Sequence, residues 1–164
     1  MSSQHRIGIF AGTFDPLTKG HLNLIERSSH LFDEVIVVIA VNTSKNTLFT
    51  VEERIQLVTE SVKHLDNITV DTLKDGLIAN YYKEKKATAL IRGLRNTIDM
   101  DYEFSIASAN ARQVAGLETV ILYAADQYRY LSSSLIKEIA FFDGDVSDMV
   151  PENVEKAIFN KLKN

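Results

Sequence analysis

Ile7-Gly8-Ile9-Phe10-Ala11 runs into Gly12-Thr13-Phe14-Asp15-Pro16 and then Gly20-His21, and the fold turns on how this stretch is read. The apolar run predicts a first strand over Arg6–Ala11, and the pattern from Gly20 predicts a first helix to Leu31. A backbone turn, a hydroxyl and an imidazole therefore fall where strand hands over to helix. A helix N-terminus carries unpaired N–H groups and partial positive charge, so it seats phosphate. His21, one turn inside, can donate a hydrogen bond to a phosphate oxygen.

The same alternation continues outward. Strands are predicted at Glu34–Val41, Ile68–Thr72, Ala89–Arg92 and Thr119–Tyr123, with helices at Val51–Lys63, Leu77–Lys86 and Asp101–Ala115 between them. Val35-Ile36-Val37-Val38-Ile39 does not alternate in polarity, as expected of a parallel strand covered on both faces. Thr50 and Glu53 are spaced for a capping box, which starts the second helix at Val51. Two further helices, Ser133–Phe142 and Pro151–Leu162, follow the last strand, and Pro151 suits a first helical turn. The pattern predicts an α/β fold: a doubly wound, five-stranded parallel sheet with C-terminal helices, its strand C-termini gathered along one ligand-binding edge. With two prolines, seven glycines and no low-complexity linker, residues 1–164 read as a single domain.

Composition narrows the function classes. A net charge of −4 argues against an extended nucleic-acid surface. Without cysteine there are no disulfides or thiolate metal sites, and the histidines at 5, 21, 30 and 64 form no metal-ligand pair, so no protein-held metal is expected. Val35–Val41 is too short to span a bilayer and the N-terminus opens no signal core, which makes the expected location cytoplasmic. Asp143-Gly144-Asp145 hints at a calcium loop, but Asp148 and Val154 stand where an EF-hand needs glycine and glutamate. Neither a dinucleotide-binding glycine motif nor a Walker lysine motif follows the first strand.

Four polar clusters fall just after predicted strands. In the first, Asp15 or Thr18 serves as an ordinary cap, whereas His21 fits both a satisfied polar role and a functional one. The second, Asn42 to Lys45, offers a phosphate-directed cation or a solvated loop lysine. The third, Ile91-Arg92-Gly93-Leu94-Arg95, closes a strand with arginines that need an anionic partner: a phosphate, or Asp99, Asp101 or Glu103. The fourth, Tyr130-Leu131-Ser132-Ser133-Ser134, sets hydroxyls and free N–H groups at a helix start. Together they put cations and donors on one sheet edge without paired carboxylates or an activated nucleophile. That inventory suits direct nucleotidyl transfer by positioning and charge neutralisation.

These residues carry a family resemblance. Gly12–Pro16 with Gly20-His21 resembles the T/H-x-G-H signature of the nucleotidylyltransferase superfamily, and Ser132-Ser133-Ser134 resembles its second, serine-rich signature. Asn42-x-x-Lys45 with Leu48-Phe49-Thr50-x-Glu52-Glu53-Arg54, Arg92-Gly93-Leu94-Arg95 and Asp101-Tyr102-Glu103 resemble the bacterial phosphopantetheine adenylyltransferases, with similarity from about Ile7 to Leu162. The resemblance implies a Rossmann-like nucleotidyltransferase fold and transfer of AMP from ATP to 4′-phosphopantetheine, giving dephospho-coenzyme A and pyrophosphate in coenzyme A biosynthesis. It further implies magnesium brought by the ATP phosphates, a homohexamer and feedback by coenzyme A.

Carried over by position, His21, Lys45 and Arg92 are the catalytic residues. Thr13, Phe14, His21, Gly93, Leu94, Arg95, Glu103, Tyr128, Arg129, Tyr130, Leu131, Ser132, Ser133 and Ser134 bind ATP. Thr13, Lys45, Leu77, Ile78, Asn80 and Arg92 bind the acceptor. Leu131 stands where isoleucine is usual, and Tyr128-Arg129 where tryptophan is frequent. Two other readings stay open: a nucleotidyltransferase acting on nicotinamide mononucleotide or a sugar or alditol phosphate, and a nucleotide-binding module without turnover.

Overall fold

The computed structural model describes residues 4–41 and 46–163. Its strands are β1 (Ile7–Gly12), β2 (Glu34–Ala40), β3 (Ile68–Leu73), β4 (Ala89–Leu94) and β5 (Thr119–Tyr123). Its helices are α1 (Lys19–Ser29), α2 (Val51–Val62), α3 (Ile78–Lys85), α4 (Thr97–Gln113), α5 (Ser133–Phe141) and α6 (Glu152–Lys163). All strand pairs are parallel, in the order β3-β2-β1-β4-β5. The unbroken apolar run of β2 is explained by two cores. Val35, Val37 and Ile39 pack with Phe10, Leu24, Ile25, Val58, Ile136 and Val154 on one face. Ile36 and Val38 pack with Ile9, Ala79, Tyr81, Tyr82 and Leu90 on the other. Each of these buried aliphatic side chains is worth roughly 1.5–3 kcal/mol. Thus α1, α2, α5 and α6 cover one face of the sheet and α3 the other, the doubly wound arrangement expected.

Two features of this frame build the site. The chain leaves β1 towards β2 and β3, then returns across the sheet to β4, so the order reverses between β1 and β4. Ligands of such sheets bind at that reversal. The β1/β2 register runs from Ile7–Glu34 to Gly12–Ile39, whereas the β1/β4 register stops at Phe10–Ile91. Ala11-Gly12 and Arg92-Gly93-Leu94 therefore diverge, and a crevice opens between them.

Local differences from the sequence reading have identifiable causes. The α4 helix begins at Thr97 rather than Asp101, because the Asn96 side chain accepts from the Asp99 N–H and caps it. The cap of α1 is Thr18, not Asp15. The predicted Thr50/Glu53 capping box is present on α2.

Candidate active site

The turn after β1 is held in an uncommon conformation. Phe14 has φ 51°, a region costly for a side chain with a Cβ, and its ring is 2% exposed. That ring packs against Phe10 and meets the edge of the His21 imidazole, with centroids 5.2 Å apart. Phe14 is thus a core residue and lines neither of the two cavities of the site. His21 is the third residue of α1 and closes a reciprocal cap: its N–H donates to Thr18 Oγ1 at 3.1 Å, and its Nδ1 accepts from the Thr18 N–H at 3.1 Å. A main-chain N–H can only donate, so Nδ1 carries no proton and neutral His21 is the Nε2–H tautomer. Burial, and behind it the charges of Arg95 and Arg92, hold the imidazole down at about 4. His21 is therefore a neutral donor at physiological pH, lining a cavity of about 350 Å³.

That cavity is the β1/β4 crevice. Gly12, Thr18, Gly20, Arg92, Gly93, Arg95, Glu103 and Tyr128 line it, with Tyr128 beside Gly20, and Ser132 and Ser133 lie at the N-terminus of α5. A second cavity of about 340 Å³ lies beside it, lined by Thr13, Ile78, Leu90, Tyr102, Ile106, Ala107 and Asn110. The two share Arg92 and Glu103. Arg92 donates through Nε and Nη2 to both oxygens of Glu103, each at 2.7 Å, and through Nη1 to Ala11 O at 3.1 Å. The guanidinium thus bridges the divergent strands, and the Glu103 hydrogen bonds push its pKa above the ordinary arginine value. Of the three internal partners open in the sequence, Glu103 is the one that takes Arg92, and Nη1 and Nη2 each keep an N–H for a ligand.

Arg95 is also internally committed. It pairs with Asp99 at 3.0 Å and donates to Leu131 O at 2.9 Å, tying β4 to the approach to α5, while Arg129 donates to Arg95 O at 3.0 Å. Of the serines, Ser132 is the cap and accepts from the Leu135 N–H, and Ser133 donates to Pro16 O at 2.8 Å. The seat at α5 therefore rests on main-chain N–H groups as much as on hydroxyls. Leu94 and Arg129 line a third, shallower hollow beyond the crevice. Tyr130 and Ser134 are exposed outside both cavities, whereas Leu131, 4% exposed, lines the first. Leu77 and Asn80 are exposed outside both cavities, so of the acceptor residues among those described Thr13, Ile78 and Arg92 line the second cavity and Leu77 and Asn80 do not. Lys45 lies outside the described residues. Tyr102, Ile106 and Asn110 were missed by the sequence reading. Their spacing of four on one helix was the available signal.

Comparison with known proteins follows the same lines. Residues 9–139 match the model of the cytidylyltransferase-like family. A phosphopantetheine adenylyltransferase of Thermodesulfovibrio yellowstonii is 48% identical over 159 residues, covering 96% of this chain and 98% of the relative. That of Syntrophomonas wolfei is 40% identical, with 97% and 98% covered. A bifunctional NMN adenylyltransferase/ADP-ribose pyrophosphatase of Francisella tularensis, solved with AMP and a manganese ion, superposes with a TM-score of 0.73 at 16% identity. That match covers 98% of this chain and 50% of the other, and it speaks to the fold alone. The chain belongs to the cytidylyltransferase-like nucleotidyltransferases and, within them, to the phosphopantetheine adenylyltransferases.

Proposed function

We propose that this chain transfers AMP from ATP to 4′-phosphopantetheine, releasing pyrophosphate and forming dephospho-coenzyme A. One observation carries the reading beyond the names of its relatives: Arg92 stands where two cavities meet, with the neutral donor His21 in one and a mostly apolar lining that includes Ile78, Leu90, Ile106 and Ala107 in the other. A nucleotide fits the first, a phosphate the junction, and a long arm of alternating alkyl and amide groups the second. In this reading the acceptor phosphate, held by Arg92 and Lys45, attacks the α-phosphorus in line. The P–O bond to pyrophosphate breaks as the new one forms, and no enzyme-bound intermediate arises. His21 Nε2–H donates to a non-bridging oxygen as charge accumulates there, and the N–H groups at the start of α5 receive the leaving pyrophosphate.

Among the described residues no three His, Asp or Glu side chains converge as a metal cage. The residues present fit a cation carried by the nucleotide, and magnesium bound to the ATP phosphates would neutralise their charge. The same reading makes residues 1–164 one cytoplasmic domain; no helix among the described residues is long and apolar enough to cross a membrane. It also makes the molecule a homohexamer subject to coenzyme A feedback. Support for assembly comes from exposed Ile98, Met100 and Phe104 on α4 and Tyr123 on β5.

The deciding experiment measures pyrophosphate release with ATP and a panel of acceptors. Turnover with 4′-phosphopantetheine, and little with nicotinamide mononucleotide or an alditol phosphate, is expected. Preference for another acceptor overturns the assignment, and ATP binding without any product identifies a binding module instead.

A further inference from the structure

Asp15 is 3% exposed and lines neither of the cavities that meet at Arg92. Its Oδ1 accepts from the Phe49 N–H at 2.9 Å and its Oδ2 from the Leu48 N–H at 2.8 Å, and Lys137 Nζ donates to Oδ2 at 3.2 Å. Three segments 33 and 122 residues apart thus meet on one carboxylate: the turn after β1, the approach to α2, and α5. Ser133 fastens α5 to the same turn a second time, through Pro16 O. From the first turn of α2, Arg54, 2% exposed, donates to Thr13 O at 2.8 Å and reaches Thr50 O and Ala40 O at 3.4 and 3.5 Å. The turn that leads to His21 is therefore held at both Thr13 and Asp15. An ion pair with a buried carboxylate is a poor source of net stability compared with apolar side chains of similar size. This one ties the turn before α1 to α5, two helices whose first turns both line the crevice.

We propose that Asp15 and Lys137 are positioning residues for the transfer. Through this pair the start of α5 is held at a fixed separation from the start of α1, so leaving group and His21 donor address the same triphosphate. Neither side chain touches substrate; each acts through the backbone it pins.

The proposal rests on the adenylyl-transfer reading, so wild-type turnover in the same assay is its control. Lys137→Met, Asp15→Asn, the double variant and Lys137→Arg are compared for kcat, both KM values and Tm, well below the lowest Tm. Each single change is expected to lower kcat by up to roughly 10²-fold, the scale of an ångström-level misplacement, with smaller changes in KM. The double variant should be no slower than the slower single, and Lys137→Arg should recover most of the rate. Unchanged kcat in Lys137→Met, whatever its Tm, overturns the proposal, because the pair is then only structural. Losses that multiply in the double variant also overturn it, because Lys137 then acts on phosphate directly. Should Asp15→Asn not fold, Lys137→Met and its arginine rescue decide alone, the lysine side chain being 35% exposed. Inactive wild type takes both readings down and is recognised by that control.

Discussion

A histidine that closes its own helix N-terminus gives up one ring nitrogen to the backbone and has one left for chemistry. In His21 the main chain itself makes that allocation, through the Thr18 N–H on Nδ1. Removal of the imidazole therefore costs both a cap and a donor. His21→Ala should bind ATP yet lose about 10²–10³ in turnover, the usual cost of one transition-state donor. Near-normal kcat would remove His21 from the mechanism. The depressed pKa also sets a pH dependence. The unfolded imidazole takes up its proton near the ordinary 6.5 and the folded one only at about 4. The unfolded state thus binds more protons between those values, and the stability His21 contributes is fully present above pH 6.5 and lost as pH falls towards 4. Denaturant midpoints measured across that window should fall more steeply for wild type than for His21→Ala. The sequence announced a donor after the first strand, but the cap was hidden, because a glutamate or glutamine is the usual partner at that position. Asp15 was legible only as an alternative cap, since its partners lie far along the chain.

Helix-on-strand packing controls where those residues sit. Gly93 was read as a nucleotide contact, and the structure adds a second reason for it: a Cβ there would stand 2.4 Å from Leu24 Cδ1. Leu24 is buried in the core and lies one turn beyond His21 on α1, so its tip has little room to swing. Gly93→Ala should destabilise the protein by about 1–3 kcal/mol, as overpacking does, and slow turnover by displacing α1. Adding Leu24→Ala should restore turnover. If the rate stays low in the double variant while Leu24→Ala alone turns over normally, a direct contact between Gly93 and nucleotide is the cause, Leu24 itself lining the crevice. The existence and positions of the five strands were readable, because long apolar runs and period changes survive without tertiary information; their order in the sheet is a matter of tertiary contacts. Helix starts were readable where a cap was local and familiar, as at Thr50. They were misplaced at α4, where apolar Ile98 and Met100 stand exposed and blur the helical pattern.

At the scale of the molecule, α4 departs from a helix that serves only its own sheet. Among its described side chains Glu103 alone is buried, while Ile98 and Phe104 are 79% and 73% exposed. Phe104 lines neither active-site cavity, so Phe104→Glu tests assembly without touching the chemistry. Sedimentation should show wild type as a hexamer and the variant as smaller species; an unchanged mass would move the seam elsewhere. None of this could be read from the sequence, since an apolar stripe looks the same whether it faces a core or a partner. The two outer strands carry the same distinction. Strand β3 bears a charge in its middle, Asp71, held by Tyr81 at 2.6 Å and paired with Lys85. Strand β5, Thr119-Val120-Ile121-Leu122-Tyr123, has neither charge nor proline, and its Tyr123 is 72% exposed. Apart from the Arg27 guanidinium on Tyr123 O at 2.7 Å, no charge among the described residues pairs with this strand, and such an outer strand is a template for cross-pairing between chains. In the hexameric reading proposed above, protomers without partners are the vulnerable pool: aggregation should begin at β5, and it should be worst when synthesis outruns assembly.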